Sequence, residues 1–530
     1  MSELLWPAQP RARALRILIT LACVLLAVAL YQVACRVVFP WDLYIWSESP
    51  FMTNMLKITS GESVFDKPED ANSWVYAPGL EYLCFALLRP LGLSLDVRAC
   101  RVVVVGLAFI AAWAAMRSST RLYKVLGGKN EAPLGYRTFA FATMLLVIFR
   151  NFTSDVCHPD NAYAAHAMVT LLLCLRAFEK PTLRRALIAA SVSGCGVLFK
   201  QTAAAGIVGV VALFLVVGHR RWSIQERIAV AVGGGLVAAV SLFGLRSHPN
   251  STFFLFDLLG RHPVFPFRAA ELLRVGVSYP HLSLLFFLGC FAVMRVVGHA
   301  ETSTPRPRFG AGTFLAVWVA LGAETLLSLA SYVKIMGTWN NFGIICLWAT
   351  VVVLPVMFHV LEEHAASNAH TAMAIVGGSL AALLFSLIPF KVPPTAKQYA
   401  YGERLEAHLR DDLAAGRRPL LPHGTLPLLR AGFKGIPLDR GNSVLEMNSG
   451  ELGELAGTKA RIEGHHYDRV YMLGADFFGG PINDAIKKSF HEIEVLPGDE
   501  TPSYDDYLAG YQNFMRVPVR VMEWGPPSEK

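Results

Sequence analysis

Phe39-Pro-Trp-Asp-Leu-Tyr-Ile-Trp-Ser-Glu-Ser-Pro50 follows directly on an apolar run from Ala14 to Val38, and that junction decides what kind of chain this is. The run is long enough to cross a hydrocarbon layer of about 30 Å. Arg11, Arg13 and Arg16 precede it. It is too long for the core of a signal peptide, and no small-residue cleavage site closes it. It predicts an uncleaved first transmembrane helix with its N-terminus in the cytoplasm. Beyond it, Trp41 and Trp46 suit an interfacial aromatic belt, whereas Asp42 and Glu48 are costly at a membrane face and mark it as functional.

Composition carries the same reading to the whole chain. Over 530 residues, 54% are hydrophobic and 17% charged, with a mean hydropathy of +0.42. That is far more apolar than a soluble domain and predicts an α-helical polytopic membrane protein. The net charge of +8 comes from Lys and Arg in short loops between apolar runs. No basic stripe with interleaved aromatics is present, so no nucleic-acid partner is expected. The nine cysteines lie in or beside apolar runs, with no CxxC pair. They read as small hydrophobes rather than a disulfide frame or a zinc site.

Further apolar runs lie near residues 101–117, 138–150, 160–177, 186–199, 202–217, 227–245, 282–298, 310–330, 342–360 and 371–389, for about eleven crossings in all. Basic loops at 117–137, 180–185, 219–227 and 295–308 then fall on the cytoplasmic side, as the positive-inside rule requires. That count treats 77–92 as interfacial or re-entrant, because Pro78, Gly79, Glu81, Arg89 and Pro90 interrupt it. Residues 39–100 become one outer loop, and 1–390 a membrane module. Residues 391–530 change to soluble composition. A charged helical pattern at 403–415, an apolar run at 470–473, an amphipathic stretch at 481–490 and a strand-like 493–496 predict a small extracytoplasmic α/β domain.

The polar residues expected on the outer face are Asp42 and Glu48; Asp155, His158, Asp160 and Asn161 in one loop; Lys200 and Gln201; Arg261 and His262; and Lys334, Asn340 and Asn341. Polar groups persist at bilayer depth when paired or lining a wet cavity. Each has a structural alternative. Asp42 suits the N-cap of the helix after it, Glu48 suits a solvated loop, Asp160 suits the cap of the helix after Pro159, and Lys200 suits an interfacial snorkel. There is no Walker loop, HExxH, GxGxxG or DxD. Nucleotide hydrolysis, zincin chemistry and dinucleotide cofactors therefore lack support.

The Asp after the first helix, the loop ending in Tyr76-Ala-Pro-Gly79, the His158-Pro-Asp160-Asn161 turn, the Phe199-Lys200-Gln-Thr202 break and the terminal outer domain resemble the GT-C membrane glycosyltransferases. More narrowly, the chain is similar to the bacterial branch related to protein mannosyltransferases and lipid A aminoarabinose transferases. The resemblance implies transfer of a sugar from a polyprenyl-phosphate donor to a glycan, lipid or protein acceptor, at the outer face of a bacterial cytoplasmic membrane. It assigns Asp42 as base and Asp160 as the second-loop acid, with Asp155 in reserve and Glu48 beside them. Lys200, Lys334 and Arg261 would bind the donor phosphate. Tyr76, His158, Asn161, Asn340 and Asn341 would line the substrate site. Aminoarabinose transferases carry Glu-Lys-Pro where this chain has Tyr76-Ala-Pro78. That removes one acid and one phosphate ligand and leaves open both the donor sugar and any divalent metal. The competing functions are a secondary transporter, with these acids as proton or substrate sites, and a noncatalytic subunit of an envelope-glycan system.

Overall fold

The computed structural model describes residues 10–43, 48–65, 76–127, 132–152, 156–200, 203–216, 218, 221–252, 255, 279–302, 342–366, 370–388, 392–421, 424–437, 458–473, 480–498 and 518–525. Its helices, in chain order, are α1 (Pro10–Val37), α2 (Glu48–Ser60), α3 (Gly79–Leu88), α4 (Val97–Gly127), α5 (Leu134–Asn151), α6 (Pro159–Glu179), α7 (Leu183–Gly194), α8 (Ala204–Val216), α9 (Ile224–Arg246), α10 (Pro280–Thr302), α11 (Gly343–Ala366) and α12 (His370–Ser386), followed by α13 to α16 in the terminal domain. Among the described residues, five helices are long and apolar enough to cross a membrane: Leu15–Val37, Val97–Leu126, Pro159–Glu179, Ile224–Arg246 and Gly343–Leu361. Pro280–Ala292 and Ala374–Ser386 are apolar but shorter. The expected run at 310–330 lies outside the described residues.

The outer faces of these helices are apolar because their solvent is hydrocarbon. On α9, Val232, Leu236, Val240 and Phe243 are 62–75% exposed along one stripe. Inside, small residues let helix backbones approach. On α4, Ala108, Ala111, Ala112, Ala114 and Ala115 are all buried in the core shared with α1, α5, α6, α11 and α12. A methyl group added at Gly194 of α7 would lie 2.8 Å from the Gly234 carbonyl of α9. This is the small-residue packing typical of membrane bundles.

The end of α1 and the start of α4 meet at one end of the bundle. The Arg101 guanidinium, one turn into α4, donates to the carbonyls of Arg36, at the end of α1, and of Phe39 and Trp41 just beyond it. At ten residues, α3 spans about 15 Å, half of what a crossing needs. A short 3₁₀ turn at Arg89–Leu91 follows it, and Gly92 closes that turn with φ +69°.

The terminal domain covers the same end. Among its described residues, helices α13 (Ala396–Ala414), α14 (Thr425–Arg430), α15 (Thr458–Glu463) and α16 (Gly480–Ser489) flank four strands: β1 (Pro419–Leu420), β2 (Arg469–Leu473), β3 (Phe490–Leu496) and β4 (Val519–Trp524). The sheet order is β1-β2-β4-β3, with β1 parallel to β2 and the other pairs antiparallel. A bulge in β3 lies between Glu492 and Glu494. Phe39, Trp41 and Leu43 form one core with Tyr401, Leu405, Leu409 and Leu421. At Gly402 a Cβ would lie 2.6 Å from the Trp41 ring, so α13 requires glycine where it meets the tryptophan. Within the domain, Asp412 joins the layers: it accepts from Arg417 at 2.9 Å, Arg469 at 2.6 Å and the Tyr471 hydroxyl at 2.6 Å.

Candidate functional site

Two buried acidic clusters lie at the covered end of the bundle, joined through residues 156–160. In the first, Asp42 has no exposed surface. It accepts from the Ser49 amide at 2.7 Å and the Ser49 hydroxyl at 2.8 Å, so it caps the first turn of α2 from seven residues upstream. The same hydroxyl takes a hydrogen bond from Leu426 N at 3.4 Å, and Thr53 meets Thr425 at 2.7 Å. The terminal domain therefore seals Asp42 from above. Burial, then the neighbouring Glu48 carboxylate, holds the Asp42 carboxyl well above the usual carboxylate range.

Glu48, one residue before Ser49, is bound on all sides. It pairs with Arg101 through both carboxylate oxygens, with Arg101 Nε at 2.7 Å, and neither side chain is exposed. Glu48 also accepts from Leu43 N at 3.1 Å and Cys157 N at 3.4 Å. The last contact brings the loop before α6, and hence Asp160, to the end of the bundle that holds Asp42. Arg101 escaped the sequence reading because an arginine heading an apolar run reads as its boundary. Its burial is created by residues 36–48 folding onto it.

The second cluster is built on the start of α6. His158 is the N-cap and Pro159 opens the helix, where a missing amide costs nothing. Asp160 thus lies one position inside the helix rather than at its cap. Its carboxylate pairs with Lys200, and His158 Nδ1 lies 3.3 Å from Oδ2 and 3.4 Å from the Asp160 amide. Lys200 Nζ also lies 6.0 Å from the centroid of the Tyr163 ring. The Tyr76 ring packs edge-on against His158 at 5.8 Å, and burial followed by the Asp160 charge raises its phenol. Asn161 turns back, its amide donating to the Val156 and His158 carbonyls at 3.2 Å.

The turn from Tyr76 to Gly79 reaches the segment just before Lys200 because glycine allows it. A Cβ at Gly79 would lie 2.3 Å from the Leu198 carbonyl oxygen. The Tyr76-to-Gly79 turn thus packs directly on the short 3₁₀ turn Cys195–Leu198 that ends α7 ahead of Lys200. The obstruction is backbone and cannot rotate away. Gly79→Ala is expected to lower stability by about 1–3 kcal/mol and to separate Tyr76 from His158. The thermal midpoint of the purified variant in detergent measures the first effect.

Glu81, two residues further along, is a buried carboxyl that the sequence showed only as an interruption of an apolar segment. It is 1% exposed and accepts from Asn54 of α2 at 3.1 Å. Burial pushes its carboxyl up to about 7, with the Asn54 bond opposing. Between its ordinary value of 4.5 and about 7, the folded protein retains a proton that the unfolded chain has released. Stability should therefore fall as pH rises through that window, by about 3 kcal/mol in total, and level off above it. Glu81→Gln should flatten this slope in thermal midpoints measured from pH 4.5 to 8.

Asp155, Arg261, Lys334, Asn340 and Asn341 lie outside the described residues. Among the described residues no three His, Cys, Asp or Glu side chains gather as a metal-ligand group. The arrangement supplies an acid held above its usual range beneath a soluble domain, and a lysine–aspartate pair at the start of a candidate membrane span.

Residues 94–243, from the approach to α4 through most of α9, match the dolichyl-phosphate-mannose-protein mannosyltransferase family. A search of curated proteins returns no match. Among solved structures, ArnT from Cupriavidus metallidurans bound to undecaprenyl phosphate is similar at 12% identity, with a TM-score of 0.51 over 94% of this chain and 97% of that one. The Archaeoglobus fulgidus oligosaccharyltransferase is more distant. Its apo form gives a TM-score of 0.47 at 12% identity, over 93% of this chain and 74% of that one. The complex with zinc and sulfate gives 0.42 at 13% identity, over 73% of this chain and 55% of that one. With an aligned scaffold along nearly its whole length, the chain has the fold of the GT-C membrane glycosyltransferases.

Proposed function

We propose that this protein transfers a sugar from a polyprenyl-phosphate donor to a glycan, lipid or protein acceptor, at the outer face of a bacterial cytoplasmic membrane. The observation that carries the reading is the gathering of Asp42 and the Asp160–Lys200 pair at one end of a GT-C bundle, under a soluble domain. The basic loops favour an orientation with the N-terminus in the cytoplasm and the terminal domain outside. The donor's apolar tail stays in the bilayer while its head reaches the start of α6.

Displacing a phosphate from an anomeric carbon needs a base for the acceptor proton and a cation for the departing phosphate. Asp42 is the base. In its carboxylate form its raised proton affinity makes it a stronger acceptor, and the Ser49 hydroxyl on Oδ2 occupies the place an acceptor hydroxyl would take once Ser49 and the Thr425–Leu426 contact above it move aside. Lys200 is the phosphate cation, with Asp160 holding it until the donor arrives and His158 and Tyr76 packing around them. Glu48 is a positioning residue, because Arg101 and two amides take up its oxygens. Asn161 shapes the same turn. Roles for Asp155, Arg261, Lys334, Asn340 and Asn341 remain part of the proposal through the resemblance alone.

The reading is tested by following free polyprenyl phosphate released from radiolabelled polyprenyl-phosphate sugars. Lys200→Gln should raise KM for the donor at least tenfold, the loss of one charge-assisted contact of about 1.5–3 kcal/mol. An unchanged KM would remove Lys200 from the phosphate site.

A further inference from the structure

At the other end of the bundle, a cavity of about 570 Å³ opens between α4, α6 and α7. Six cations line it: Arg117, Arg121 and Lys124 from α4, Arg176 and Lys180 from the end of α6, and Arg185 from α7. Among the described residues Glu179 is the one lining carboxylate, and it pairs with Arg121. Arg176 is sixteen residues along α6 from Asp160, about 24 Å at 1.5 Å per residue. The cavity is therefore separate from the site above.

Two ordinary causes account for part of this charge. Cations flank membrane spans on the cytoplasmic side, and cations at the ends of α4 and α6 complement the helix dipoles. Neither explains convergence. Arg185 lies in the first turn of α7, the end where a cation is disfavoured by the dipole, and it faces the same cavity as the others. The Nε of Arg121 is inaccessible and has no hydrogen-bond partner among the described residues. Six like charges around one hollow, with a single counter-charge among the described lining residues, favour a polyanion that fills it. Leu173 and Ile188 complete the lining, and Ile188 is 42% exposed, so the ligand meets apolar surface as well.

We propose that this cavity binds a group bearing two phosphate charges, of the kind presented by a diphosphatidylglycerol headgroup at the membrane edge or by a free pyrophosphate. The apolar lining favours the lipid, in line with basic pockets between transmembrane helices that take anionic headgroups.

The full-length protein in zwitterionic nanodiscs would be melted with increasing diphosphatidylglycerol in the bilayer, or with inorganic pyrophosphate in solution. The wild type should be stabilised saturably, and Arg117→Gln with Arg176→Gln should raise the half-saturating concentration at least tenfold. The charge-preserving Arg176→Lys should retain the response. Should the double variant not fold, Lys124→Gln at the same cavity should raise the half-saturating concentration about threefold. Stabilisation by the lipid alone assigns a headgroup site, and stabilisation by pyrophosphate assigns a soluble phosphate site. No response of the wild type to either probe, or equal responses in wild type and variants, overturns the proposal.

Discussion

Asp42→Asn is expected to lower sugar transfer by a factor of about 10²–10⁴, the usual contribution of a general base, while donor binding persists. The substitution is nearly isosteric. The asparagine carbonyl can still accept from the Ser49 amide, so the cap on α2 survives and the variant should fold. What it loses is a carboxylate able to take a proton, the property that burial and Glu48 strengthen at this position. The control is Ser49→Ala, which removes the hydroxyl from Oδ2 and leaves the carboxylate. If Asp42 is only a cap, both variants should act through stability and retain transfer per folded molecule. If it is the base, Asp42→Asn should lower turnover by that factor at unchanged thermal midpoint. Donor-dependent release of polyprenyl phosphate and a melting curve together separate the two.

Arg101→Gln should be the most destabilising single change, by about 3–5 kcal/mol. Removing one partner of a buried ion pair leaves the other as an uncompensated charge, and neither Arg101 nor Glu48 has exposed surface through which water could compensate. The same guanidinium ties three carbonyls at the end of α1 to α4, so the loss also frees the loop that carries Asp42. Replacing both partners, as Arg101→Met with Glu48→Leu, should recover much of the stability, because an apolar pair needs no counter-charge. That double variant should recover its melting temperature further than its activity, since Leu43 and Cys157 would still lack the carboxylate that holds their amides. Equal melting temperatures for Arg101→Gln and the wild type would show that the pair does not anchor the loop.

The first apolar run, the polar loop after it and the change of composition near residue 391 were legible because membrane crossing imposes length and hydropathy that sequence shows directly. The pairing of Lys200 with Asp160 was not foreseen, although a lysine at a helix break and an acid after a Pro are each costly at depth and need partners; the sequence placed both on one face without joining them. Arg101 and Glu81 were not legible. Each looks like the edge or the interruption of an apolar segment, and its burial comes from partners 53 and 27 residues away. Strand β4 was missed for a different reason. Val519 and Val521 are buried and Arg520 is exposed, a period of two that six residues cannot distinguish from a loop, although this strand lies between β2 and β3. The cap differed by two residues because His158, extended and hydrogen-bonded to the Asp160 amide, takes the capping role expected of the acid.

The proposed activity is turnover of a lipid-linked sugar. Its most direct test is release of free polyprenyl phosphate from a panel of radiolabelled polyprenyl-phosphate sugars, using membranes with the protein and cell-extract acceptors, against membranes lacking it. Release from at least one donor, lost in Asp42→Asn at equal protein level, is the predicted result. No release from any donor would contradict the account and leave a transporter or a noncatalytic lipid-sugar-binding subunit as the reading of this bundle.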